Sequence, residues 1–104
     1  MYASCHAHGA RVLAITCLEA DIEVDSEVEA QRRLLNGMVR EACSGADPGL
    51  VLCDLEASLP LRSMDPDEAV KVWDDGLHLT AAGYDRMAGH LFDALRPHLL
   101  ADAP

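Results

Sequence analysis

Two short apolar runs separated by one helix-length segment constrain this chain most. Arg11-Val-Leu-Ala-Ile-Thr16 follows Gly9 and is rich in β-branched residues, so it reads as a buried strand, with Gly9 closing a preceding helix. Leu50-Val-Leu-Cys53 reads as a second. Between them, residues 26 to 43 carry Val28, Leu35, Met38, Val39 and Ala42 at helical spacing. Ser26 with Glu29 three residues later forms a candidate capping box, and Ser44-Gly-Ala-Asp-Pro-Gly49 ends the helix. Strand, helix, strand and a final helix imply an α/β chain with about two parallel strands and helices packed on them.

The rest of the chain is read from its caps and breakers. The acidic stretch from Glu19 to Glu29 is expected as a solvated loop running into the helix. Pro60 and Pro66 punctuate residues 57 to 74, and Asp65-Pro-Asp-Glu-Ala-Val70 suits one helical turn with Pro66 at its first position. Thr80 is a good N-cap for a last helix. Tyr84, Met87, Ala88, Leu91, Phe92 and Leu95 form its apolar stripe, and Pro97 is expected to stop it.

At 104 residues the chain suits a single domain. Its 18 acidic against 8 basic side chains, a net charge of −10, argue against nucleic acid, where Lys and Arg must neutralise phosphates. They argue equally against an anionic membrane surface. No apolar run approaches the roughly 20 residues that span a bilayer. The first ten residues, interrupted by His6 and His8, do not read as a signal peptide, so the chain as written is expected in the cytosol. Cys5, Cys17, Cys43 and Cys53 form no Cys-x-x-Cys pair and read as small buried hydrophobes in a reducing compartment.

Chemistry concentrates in Val72-Trp-Asp-Asp-Gly-Leu-His-Leu-Thr80. Asp75 and His78 are three residues apart in a turn closed by Gly76. That spacing lets the carboxylate accept a hydrogen bond from the imidazole, which fixes the tautomer and leaves the other ring nitrogen as a general base. The plain alternative is a solvated turn ahead of a helix cap. Asp74 competes for the same imidazole, and the three-residue spacing favours Asp75. Trp73 could line an acyl pocket, though a lone Trp more often belongs to the core or lies over a turn. Cys5-His6-Ala7-His8 offers three ligands, short of a full zinc set, and reads as structural or exposed. The acidic run lacks a calcium-hand loop. His90 and His98 read as surface residues. No cofactor and no metal site is expected.

Asp75-Gly-Leu-His-Leu-Thr80 followed by Ala-Ala-Gly83-Tyr84 resembles the last motif block of the SGNH (GDSL-type) hydrolases, a family of serine esterases and lipases. Ala10–Thr16 looks like that family's fourth strand, Arg33-Leu-Leu-Asn36 like the start of its next helix register, and Val51–Leu55 like its fifth strand. The likeness runs from about residue 10 to residue 95: a strand–helix–strand unit over 10–55, then the Asp-x-x-His block and C-terminal helix over 75–95. It implies a partial three-layer flavodoxin-like SGNH fold over 1–104, with His78 as general base, Asp75 as its orienting partner and a small ester as substrate. The family's Gly-Asp-Ser block, which carries the nucleophile, and its Gly-x-Asn-Asp block are absent. Ser4, Ser26, Ser44, Ser58 and Ser63 stand in unrelated contexts, and Asn36 falls on the helix.

The chain therefore resembles the C-terminal portion of such a hydrolase. It is expected to be inactive alone and, if completed by an N-terminal half, to allow secretion through a signal carried there. Two other readings stay open. One is a catalytically inactive fragment or interaction module that pairs, or self-associates, through an unpaired strand edge. The other is an unrelated small α/β domain in which the Asp75–His78 spacing is coincidental.

Overall fold

The structure is a computed structural model that describes residues 2–45 and 47–101, leaving the side chains of His6, Leu100 and Ala101 aside. In chain order the elements are α1 (Tyr2–Ala7), β1 (Val12–Ile15), α2 (Glu27–Cys43), β2 (Leu50–Cys53), α3 (Leu55–Ser58), α4 (Pro66–Val72) and α5 (Ala81–Ala101). The chain is thus mixed α/β. Among the described residues, five helices surround one two-stranded parallel sheet in which Val12 faces Leu50 and Ile15 faces Cys53.

Local chemistry explains each boundary. Gly9 takes φ +77° and lets Ala10 N–H reach the Cys5 carbonyl at 3.0 Å, closing α1. Ser26 Oγ accepts from Glu29 N–H at 3.2 Å and starts α2. Asp54 caps α3, an element the sequence reading did not separate from its surroundings. Asp65 caps α4 by accepting from Asp67 N–H at 2.9 Å, with Pro66 in the first turn as expected. Thr80 Oγ1 accepts from Gly83 N–H at 3.0 Å and starts α5.

The core lies where β2, α3, α4 and α5 meet. Cys53, Leu55, Leu59, Val72, Trp73 and Leu79 are buried together, and Leu13, Leu18, Leu61, Met64, Met87, Leu91 and Ala94 pack against them. Trp73 is 5 % exposed and its indole N–H donates to the Pro60 carbonyl at 3.2 Å. It is a core residue, not the wall of a pocket. Gly83 allows α5 to press on the end of α4: a Cβ there would lie 2.2 Å from the Val72 carbonyl oxygen.

Several expectations are corrected. The apolar stripe of α2 does not face the core: Val28, Leu35, Met38 and Ala42 are exposed and Val39 is half-buried. The side turned inward carries Glu29 and Asn36, both fully buried. The reason is a set of partners that satisfies polar groups on that side, as described below: the Cys17 backbone after β1, Asp54 and Glu56 at the start of α3, and Arg62 in the 60s loop. On α5 the stripe is split. Met87, Leu91 and Leu95 turn inward, whereas Tyr84, Ala88 and Phe92 are exposed. Pro97 does not end α5, which continues to Ala101; proline removes one i→i−4 bond near a helix end, where few such bonds remain to lose. His90 and His98 are half-buried on α5 instead of lying at the surface. Of the four free cysteines only Cys53 is buried, while Cys17 is exposed.

Candidate active site

The turn before α5 is tied at both sides. Trp73 and Leu79 form an antiparallel bridge, Asp74 N–H donates to the His78 carbonyl at 2.9 Å, and Thr80 N–H donates to the Val72 carbonyl at 2.8 Å. Within that frame Gly76 takes φ +80°, a conformation side chains oppose. The turn is therefore short, closed and specific in backbone geometry.

Those constraints aim the Asp75 carboxylate at two kinds of donor. Its Oδ1 accepts from the backbone N–H of His78 at 2.7 Å and of Leu77 at 3.0 Å. Its Oδ2 lies 2.9 Å from His78 Nδ1. An ionised carboxylate can only accept, so the network assigns the proton to Nδ1 and leaves the lone pair on Nε2. The His78 hydrogen bond, followed by the two backbone donors, holds the Asp75 carboxyl well below the usual carboxylate range. In return, the Asp75 hydrogen bond raises the His78 pKa, with the Asp74 charge adding to it. The His78 side chain is 61 % exposed and Asp75 53 %, so the imidazole can be reached from outside. The arrangement can orient an imidazole and stabilise its protonated form. The competitor Asp74 contributes charge but not the hydrogen bond.

A segment from another part of the chain leans on this turn. Asp21 N–H donates to the Gly76 carbonyl at 2.7 Å, and a Cβ on Gly76 would lie 2.5 Å from Asp21 Cβ. The same segment is held from its other side by Arg62. One guanidinium nitrogen donates to the carbonyls of Ala20 at 3.0 Å and Ile22 at 2.9 Å, and the other to Glu19 Oε2 at 2.7 Å. The stretch from Glu19 is thus not a solvated loop throughout: the Glu19 side chain is 14 % exposed and also receives Leu61 N–H at 3.0 Å.

Arg62 belongs to a larger ion-pair cluster that sequence reasoning missed. Glu29, with no side-chain exposure, is paired with Arg32, with Arg33 at 3.3 Å and with Arg62 at 3.3 Å. The Arg32 hydrogen bond, the largest influence, pulls the Glu29 pKa down to about 2 against the opposing effect of burial. Arg32 also pairs with Glu56, and Arg40 reaches Asp54 at 2.8 Å and Glu56 at 2.6 Å. Thr16 Oγ1 donates to Asp54 at 2.9 Å. Asn36 clamps Cys17, accepting from its N–H at 2.7 Å and donating to its carbonyl at 2.9 Å. No buried side-chain N or O lacks a partner among the described residues. A cleft of about 400 Å³ opens between Glu19, Arg32, Arg33, Arg62 and Ser63, and neither Asp75 nor His78 lines it. The signal was present in the sequence: Glu29, Arg32, Arg33, Asn36 and Arg40 recur at helical spacing on α2, a polar stripe as regular as the apolar one.

The serines stay apart from this site. Ser26 and Ser44 cap α2, Ser4 and Ser58 lie in α1 and α3, and Ser63 lines the cleft. Among the described residues no hydrogen bond joins a serine to His78. Asn36 is a buried clamp, not a donor toward the imidazole. His8 Nδ1 bonds to the Ser4 carbonyl at 2.9 Å, while the His6 side chain falls outside the described residues. No helix among the described residues is long and apolar enough to cross a membrane. Compared with known proteins, the chain matches no family model, no curated protein and no solved structure.

Proposed function

We propose that Asp75 and His78 are the orienting acid and general base of an SGNH-type serine ester hydrolase, and that these 104 residues form the C-terminal portion of its partial three-layer flavodoxin-like fold. The 2.9 Å contact between Asp75 Oδ2 and His78 Nδ1, in a closed turn directly ahead of α5, is the observation that carries this reading. The parallel β1–α2–β2 unit supports it. In this reaction Nε2 of His78 takes the proton from a serine hydroxyl as the hydroxyl oxygen attacks the carbonyl carbon of a small ester. The same imidazole returns the proton to the departing alkoxide. It then takes a proton from the water that attacks the acyl-enzyme and gives it to the serine oxygen as that oxygen leaves, releasing the acid and restoring the neutral imidazole. The serine and the donors for the oxyanion come from outside these residues.

The test is made on the gene product isolated from its own cells and detected with an antibody against residues 80–95. It should label with a fluorophosphonate and hydrolyse p-nitrophenyl acetate. Both should be lost in His78→Ala made in the same gene. A product that neither labels nor turns over esters, or whose turnover survives His78→Ala, overturns the proposal. A second reading is a non-catalytic module that joins a partner through the outer edge of β1, favoured by the two-stranded sheet, in which β1 pairs with β2 alone among the described residues. It shares the fold and requires the His78→Ala protein to behave as the wild type does.

A further inference from the structure

We propose that Arg62 is a positioning residue for the Asp75–His78 pair, acting through the segment Glu19–Ile22 that it clamps against Gly76. The inference rests on the reading of Asp75 and His78 as a working pair. The path is continuous. The buried Glu29 carboxylate holds one guanidinium nitrogen of Arg62 at 3.3 Å, and the same nitrogen reaches Glu19 at 2.7 Å. The fork's second nitrogen grips the carbonyls of Ala20 and Ile22, one residue on either side of Asp21. Asp21 in turn donates its N–H to the Gly76 carbonyl at 2.7 Å.

Gly76 is the residue whose left-handed backbone bends the chain so that the Leu77 and His78 amides meet Asp75. A peptide group fixed on one side by Asp21 cannot rotate freely, so the carboxylate and the imidazole keep their spacing although both are half-exposed. Exposed ion pairs ordinarily lose most of their strength to side-chain freedom and solvent. Here a clamp at the backbone of the turn reduces that freedom without burying either group. A planar fork gripping two carbonyls is a task for arginine that a lysine ammonium does not reproduce.

The charged groups facing His78 are Asp75 and, more weakly, Asp74. The readout is therefore the titration midpoint and tautomer of the His78 ring, followed by ¹⁵N NMR in the full-length protein. Asp75→Asn sets the scale by removing the partner and lowering the midpoint toward the ordinary histidine value of about 6.5. Arg62→Gln should move it in the same direction by roughly half of that shift or more, and should admit the second tautomer. Arg40→Gln breaks a comparable set of ion pairs, to Asp54 and Glu56, that does not touch the 19–22 segment, and should leave the midpoint in place.

Should Arg62→Gln fail to fold, Asp21→Pro removes the N–H that reaches Gly76 together with the carboxylate, and Asp21→Asn removes the charge but keeps the N–H. Asp21→Pro should shift the midpoint likewise and Asp21→Asn should not, an equal shift in the two overturning the clamp. An unmoved midpoint in Arg62→Gln or Asp21→Pro, or an equal shift in Arg40→Gln, overturns the positioning role. An unmoved midpoint in Asp75→Asn overturns the pair itself. Neither result depends on where the serine resides.

Discussion

Asp75 and His78 illustrate how three residues of spacing become chemistry. The carboxylate is spent twice, on the amides that close the turn and on the imidazole that the turn presents. Because His78 is raised, its ring stays protonated to higher pH than a free histidine and becomes a base only above its folded-state value. Ester turnover should therefore rise with pH through that raised value, and Asp75→Asn should move the inflection down toward about 6.5. A pH–rate profile for the two proteins checks this. Glu29 sets the opposite sign. Its pKa is depressed to about 2, so its contribution to stability is complete above the ordinary carboxylate range and is lost as pH falls through about 2. Glu29→Gln leaves Arg32, Arg33 and Arg62 facing an uncharged amide. It should lower unfolding free energy at pH 7 by about 3 kcal/mol, as loss of one partner from a buried pair does. Urea melts at pH 7 and pH 2.5 should show the wild-type and variant midpoints converging in acid.

At the scale of elements, caps and breakers were legible and facing was not. Ser26 and Thr80 each accept the amide that their positions in the sequence implied, Pro66 opens a helix as its position implied, and β1 and β2 pair in parallel. The turn at Gly76 was legible for the same reason, since its constraints are local. The orientation of α2 depends instead on partners distant in sequence: Glu56, Arg62, and Asp54 with Thr16. Periodicity alone offered two stripes on one helix and no means of choosing between them. Leu35, at 48 % exposure, separates the two orientations experimentally. With α2 as observed, Leu35→Lys should change stability by no more than about 0.5 kcal/mol. An α2 turned the other way would lose several kcal/mol on burying an unpaired charge. Chemical denaturation distinguishes these. Gly83 offers the contrary case of a small residue with a large role. Its absent Cβ faces the Val72 carbonyl oxygen and Leu79 Cβ, at 2.2 and 2.9 Å, and the backbone of α4 cannot yield as a side-chain tip would. Gly83→Ala should cost about 1–3 kcal/mol, read as a lowered urea midpoint.

Across the whole molecule, burial is uneven. The radius of gyration is 15.5 Å, against about 13 Å for a compact domain of this length, and the principal extents are 43 × 31 × 18 Å. The buried apolar cluster is confined to the side formed by β2, α3, α4 and α5, while the outward face of α2 shows Val28, Leu35 and Met38. The parallel ladder gives this asymmetry a measurable form. Val12 and Thr16 direct their N–H groups to Gly49 and Cys53 on the β2 side. In a parallel strand alternate residues point to opposite edges, so the amides of Leu13 and Ile15 point away from β2. Hydrogen exchange followed by NMR should therefore find Ala14 and Cys53, with the amides of Trp73 and Leu59, among the slow group. Leu13 and Ile15 should exchange at rates close to those of an open chain. Equal protection of Leu13, Ala14 and Ile15 would mean that a further strand pairs with that edge in solution. Its source could then be tested by diluting the protein: protection that falls with concentration comes from a second copy, and protection that persists comes from the same polypeptide.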